Sequence, residues 1–69
     1  MEREEVSSTN LAAVGYDSNA QILEVEFISG HVYHYYDVPQ NVHDELMSAS
    51  SVGTYLNHYI KGTYNFAQV

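Results

Sequence analysis

Ile22-Leu23-Glu24-Val25-Glu26-Phe27, Ile28-Ser29-Gly30 and His31-Val32-Tyr33-His34-Tyr35-Tyr36-Asp37 form the stretch on which the fold turns. Leu23, Val25 and Phe27 alternate with Glu24 and Glu26, the two-residue period of a half-buried strand. Ser29-Gly30 turns the chain, and the aromatic run behind it suits a second strand. A two-residue turn at Ser29-Gly30 would put Val32, His34 and Tyr36 on the face of Leu23, Val25 and Phe27. A three-residue loop, with Gly30 left-handed at a bulge, puts Tyr33 and Tyr35 there instead. The second register buries no histidine and sets His34 opposite Glu24, an opposite-charge pair at low pH, so it is the one expected. A slip of one residue would exchange the two faces.

Working toward the N-terminus, Leu11-Ala12-Ala13-Val14-Gly15-Tyr16 reads as another strand, ended by the turn residues Asp17-Ser18-Asn19. Residues 1–8 are charged and hydroxylated and read as a mobile arm, with the domain body at 9–69. Toward the C-terminus, Val38-Pro39 ends the sheet and suits the first turn of a helix over 40–48, with Val42, Leu46 and Met47 on one side. Ser50 or Ser51 can cap a second helix, in which Val52, Tyr55, Leu56, Tyr59 and Ile60 form an apolar stripe and Gly62 is the C-cap. The expected class is α+β: a three-stranded antiparallel sheet followed by two helices on one face, in the order β-β-β-α-α.

With 69 residues the chain makes one small domain with a thin core, for which a partner subunit is a common aid. No cysteine is present, so disulfides, thiolate metal sites and a cysteine nucleophile are excluded. Nine acids against Arg3 and Lys61 give a net charge of −7, which disfavours a long nucleic-acid backbone as partner. The acidic start Met1-Glu2-Arg3-Glu4-Glu5 has no apolar run behind it, and no stretch is long enough to span a bilayer. A cytoplasmic location without membrane contact is expected.

Catalytic and metal chemistry find little footing. His31 and His34 are three apart on a strand and point to opposite faces, and no His-x-x-x-His pair exists, so no metal and no cofactor is expected. Glu24 and Glu26 lie about 7 Å apart on one strand face, but a chain this short offers no deep cleft around them. No catalytic residue is assigned. Anion binding has better support. Free amides at the start of the second helix, the Ser50 and Ser51 hydroxyls and the bare backbone at Gly53 favour a phosphate. Gly53, Asn57 and Lys61 continue as a polar stripe at four-residue spacing, with Tyr64 beyond. Lys61 is roughly 12–15 Å from the helix start, so only a dinucleotide-sized ligand or a neighbouring subunit engages both ends. Tyr36 and His34 on the outer face offer a stacking platform or an interface anchor.

The motifs taken together resemble a known family. They are Tyr16-Asp17, Leu23-x-Val25-x-Phe27-x-x-Gly30, Tyr33-x-Tyr35-x-x-Val38-Pro39, and Ala49-x-Ser51-x-Gly53-x-Tyr55-x-Asn57-x-x-Ile60-Lys61-x-x-Tyr64. They are similar to the KTSC domain, named for the C-terminus of some lysyl-tRNA synthetases and also found alone in bacteria and phages. The likeness covers residues 7–66. It implies a binding module rather than an enzyme, with RNA binding suggested by the synthetase context. Relatives carry basic residues where this chain has His34, Val52 and Thr54, while Lys61 is retained.

The sequence therefore leads to a non-enzymatic binding module for a nucleotide-like small ligand, held by Ser50, Ser51, Gly53, Tyr55, Asn57, Lys61, Tyr64, His34 and Tyr36. The family's occurrence as stand-alone phage proteins extends this to sequestering a signalling nucleotide. The alternatives are a protein-interaction module acting as a homo-oligomer and an RNA-binding module.

Overall fold

A computed structural model describes all 69 residues. Its centre is the hairpin of β3 (Ile22–Phe27) and β4 (Val32–Tyr35). Leu23 pairs with Tyr35, Glu24 with His34 and Val25 with Tyr33, the register expected from a three-residue loop. The Phe27 N–H donates to the His31 carbonyl, and the Gly30 N–H to the Phe27 carbonyl, each at 2.9 Å. Gly30 has φ +96°, which an L side chain adopts only under strain.

The sheet is wider than its sequence suggests. It has five antiparallel strands in sequential order, not three, because a short strand is added at each edge. β1 (Arg3–Glu5) pairs with β2 (Leu11–Asp17), and β5 (Phe66–Gln68) pairs with β4. Arg3-Glu4-Glu5 falls in the segment read as an arm: three exposed charged residues carry no alternation to read, and backbone pairing with β2, with the Arg3 ion pairs to Glu24 and Glu26, makes them a strand. β5 is equally short, and all three of its residues are exposed. The overall class, α+β, stands. Neither residues 31–37 nor the chain after Tyr16 is an exposed edge, since β5 covers the first and β3 the second.

In β2 an extra residue, Ala12, makes a bulge between Leu11 and Ala13. In a regular strand Leu11 and Val14 would face opposite ways. The bulge turns both inward, and each is 1 % exposed.

The helices lie between β4 and β5 in sequence. α1 (Gln40–Ser48) begins after Pro39, and α2 (Val52–Tyr55) begins at the Ser51 cap. α2 runs directly into a π-helical turn, Leu56–Ile60, closed by Lys61 N–H to Leu56 carbonyl at 2.8 Å. Gly62 (φ +82°) then turns the chain away. The extra residue in that turn shifts the stripe: Leu56 and Ile60 are fully buried, but Tyr59, expected beside them, is 61 % exposed. The core joins Leu46, Val52, Leu56 and Ile60 of the helices to Leu11, Val14, Leu23, Val25 and Tyr35 of the inner sheet face. Fully burying each large aliphatic side chain contributes about 1.5–3 kcal/mol. No helix is long and apolar enough to cross a membrane.

Candidate functional site

Alternation along β3, β4 and β5 brings Phe27, Tyr33 and Phe66 side by side on the helix-bearing face, beyond the point where the helices cover it. Tyr33 meets Phe27 edge-on at 5.6 Å and Phe66 at a tilt at 5.9 Å. These rings floor an open cleft of about 700 Å³, in the size range of small-molecule sites. Ile28 and His31 border it on the hairpin side, Thr9 and Asn10 on another, and Lys61 overhangs it. The Lys61 ammonium sits 5.3 Å from the Phe27 ring centroid, within cation–π range. Arg3 is held by Glu24 and Glu26 on the other face of the sheet, so Lys61 is the one free permanent cation of a chain with net charge −7.

A second depression, of about 410 Å³, adjoins the cleft along Thr9 and Asn10. Its walls are entirely polar and include Ser8, Asn10, Ser50, Ser51, Thr54 and Asn57. Gly53 makes it possible. A Cβ there would lie 2.7 Å from Asn10 Oδ1 and 3.2 Å from Ser8 Oγ, so the bare backbone at Gly53 lets these two side chains close on the helix start where a larger residue would make them shift. The loop holds itself: Ser8 Oγ donates to Asn10 Oδ1 at 3.0 Å and accepts from the Leu11 N–H at 3.3 Å.

The residues singled out in the sequence fall into four separate places. Ser50, Ser51, Gly53 and Asn57 line the polar groove, and Lys61 overhangs the aromatic cleft. Ser51 is occupied structurally: its Oγ accepts from the Thr54 N–H at 3.3 Å and donates to Thr54 Oγ1 at 2.9 Å. Tyr55 and Tyr64 lie elsewhere, packed against the core, and the Tyr55 hydroxyl donates to Glu45 Oε1 at 3.4 Å. Burial first, then the Glu45 charge, pushes the Tyr55 phenol above its ordinary value.

His34 and Tyr36 belong to the opposite face of the sheet. There the His34 Nε2 bonds Glu24 Oε1 at 2.7 Å, and Arg3 Nε donates to Glu24 Oε2. Burial pushes the Glu24 carboxyl up, but the bonds from Arg3 and His34 and the Arg3 charge outweigh it and hold the group below the ordinary carboxylate range. His34 is thus tied to Glu24, with the sheet between it and Lys61.

Of the residues lining the cleft only Lys61 was in the expected set; Asn10 and the floor residues Phe27, Tyr33 and Phe66 were among those outside it. Phe27 and Tyr33 share a face by alternation, so their neighbourhood is readable. Asn10 reaches the site only through the loop's contact with Gly53, for which the sequence carries no signal.

The pattern of the KTSC domain matches residues 7–64, spanning β2 to the turn after Gly62. This chain belongs to the KTSC domain family. A stand-alone relative from Stutzerimonas stutzeri is 44 % identical over 61 residues, covering 88 % of this chain and 86 % of that protein. A lysine–tRNA ligase of Nostoc punctiforme is 43 % identical over 54 residues, 78 % of this chain but 10 % of the ligase. The KTSC domain is therefore about a tenth of that enzyme's length. The crystal structure of a KTSC domain protein from Yersinia pestis superposes with a TM-score of 0.96 at 34 % identity, covering 99 % of this chain and 96 % of that one.

Proposed function

We propose that this KTSC domain is a non-enzymatic module, acting in the cytoplasm, that binds a small nucleotide-like ligand in the aromatic cleft. The observation that supports it is the pairing of one free ammonium, Lys61, with the Phe27–Tyr33–Phe66 floor in a cleft of about 700 Å³. A base stacks on the rings, gaining about 1–3 kcal/mol. Its anionic group takes Lys61, and the sugar lies over Thr9 and Asn10 toward the hydroxyl-lined groove. This moves the base site from Tyr36 and Tyr64, the sequence candidates, to Phe27 and Tyr33. A single cation suits a ligand of low charge, such as a nucleoside monophosphate or a cyclic nucleotide.

Thermal denaturation against a panel of nucleosides, mono- and triphosphates and cyclic nucleotides tests this. Ligand at a hundred times its Kd adds about 2.7 kcal/mol, a rise of roughly 10–20 °C in Tm for a domain this size. A panel that leaves Tm unchanged at millimolar ligand refutes the proposal. An RNA-binding reading draws on the ligase relatives, but Glu24 and Glu26 neutralise Arg3, leaving few phosphate contacts. The second reading, a protein-interaction module acting as a homo-oligomer, is favoured by the exposed Ile28 and Phe66 at the cleft rim.

A further inference from the structure

The two edges of the sheet differ in a way that bears on assembly. Along β5, Tyr36 N–H donates to the Asn65 carbonyl and Val69 N–H to the Val32 carbonyl, each at 2.9 Å. The antiparallel alternation then assigns Ala67 to His34, and turns the N–H and C=O groups of Phe66 and Gln68 outward, away from β4. These groups have no partner strand. No residue from Gly62 to Val69 bears a charged side chain, and Phe66 and Val69 are 58 % and 62 % exposed. Beside them, Ile28 at the cleft rim is 59 % exposed.

The opposite edge carries the devices that keep strands apart. The Val6 N–H bonds the Ala12 carbonyl, so by the same alternation Arg3 and Glu5 present their outward backbone groups between charged side chains. Two β1 strands paired about a two-fold at Glu4 would set the two Glu4 carboxylates against each other, and would set Arg3, already held by Glu24 and Glu26, against the partner's Glu5. In a chain of net charge −7, β5 is the edge on which two copies meet with least repulsion.

We infer that the chain self-associates through β5, antiparallel about a two-fold axis at Ala67, joining two sheets into one. Phe66 then exchanges main-chain hydrogen bonds with the partner's Gln68, and Gln68 with the partner's Phe66. The outer-face pair across the axis is Ala67 against the partner's Ala67, small and uncharged. On the inner face, Phe66 lies against the partner's Gln68, so the two aromatic clefts become neighbours across the axis and each gains a wall from the other copy. This inference rests on the strand edge and not on the identity of any ligand. The edge is short, so the contact belongs to the small, reversible class of interfaces and responds to concentration.

Mass by light scattering or sedimentation, across a concentration series of the full chain, tests it. A concentration-dependent dimer is expected. Gln68→Pro removes an outward N–H while leaving every main-chain bond to β4 in place, at the loss of the Gln68 side-chain bonds to Tyr33 and His31, and Ala67→Glu sets like charges across the axis. Each is expected to give a monomer with an unchanged far-UV spectrum, and if one fails to fold the other decides. Glu5→Pro, the equivalent change on β1, is expected to leave the dimer intact. A wild type that stays monomeric up to about 1 mM, beyond the range of a specific contact, overturns the inference. So does a dimer that survives in folded Gln68→Pro and Ala67→Glu chains, or one lost only in Glu5→Pro.

Discussion

The Lys61 ammonium lies 5.3 Å from the centre of the Phe27 ring, so a helical residue and a strand residue far apart in sequence meet over one cleft. The π-helical turn ends at Ile60, just before this lysine, and its i to i+5 bond is made by the Lys61 N–H itself. The irregular turn that swings Tyr59 into solvent also sets where the cation stands.

Lys61→Met keeps the aliphatic stem and removes the charge. Loss of an exposed cation–π contact costs about 0.5–1 kcal/mol of stability. Affinity for an anionic nucleotide is expected to fall tenfold or more, a loss of about 1.4 kcal/mol or greater, while affinity for the neutral nucleoside holds. Calorimetric titration of both ligands into both proteins checks this, and equal losses for the two would remove Lys61 from the site.

Ser51→Ala separates a cap from a ligand contact. The Thr54 N–H loses its acceptor, so stability is expected to fall by about 0.5–2 kcal/mol. Because the hydroxyl is already engaged with Thr54, ligand affinity measured below the lowered Tm is expected to stay within about twofold. A large loss of affinity in a folded Ser51→Ala chain would return the phosphate to the helix start.

The Glu24 cluster gives a pH dependence with a definite sign. A carboxyl held below its ordinary value of 4.5 stabilises the fold fully above that pH, and the contribution is lost as pH falls through the lower folded value. Tm is therefore expected to drop below pH 4.5, and Glu24→Gln to flatten that drop while lowering Tm at neutral pH. Parallel Tm-against-pH curves for the two proteins would show that the cluster contributes nothing.

Gly30→Ala tests the hairpin register directly. No atom lies within 4 Å of the added Cβ, so the whole penalty is conformational, from φ +96°. A cost of about 1–2 kcal/mol is expected from chemical denaturation, with Gly30→Asn costing less. An unchanged midpoint would mean that the loop has another conformation.

How much of this was legible varies along the chain. β3 and β4 were readable because five residues of strict alternation, Leu23 to Phe27, and a glycine at the loop leave one register that buries no histidine. β1 and β5 were not, since three residues carry no period and Arg3-Glu4-Glu5 has the composition of solvated chain. Ala12 gives no hint that it is the bulge. The stripe from Val52 to Ile60 fits an α-helix, and only the extra residue of the π turn removes Tyr59 from it. Ser51, Asn57 and Lys61, grouped by their spacing in the sequence, are divided in the structure between a polar groove and an aromatic cleft. His34 and Tyr36 lie behind the sheet because alternation, correctly read, sends them there.

The long excursion between β4 and β5 also sets an order of events. β2, β3 and β4 follow one another through short turns, so their pairing closes small loops. Phe66 pairs with Tyr35 only after α1, α2 and the π turn have come back over the sheet. The entropic cost of that closure is set against three exposed residues, of which only Phe66 brings a large apolar side chain to the sheet. β5 is therefore the last strand to join as the chain folds and the first to leave when it opens. In the monomer its amides exchange early with solvent, and pairing with a second copy is expected to slow exchange at Phe66 and Gln68.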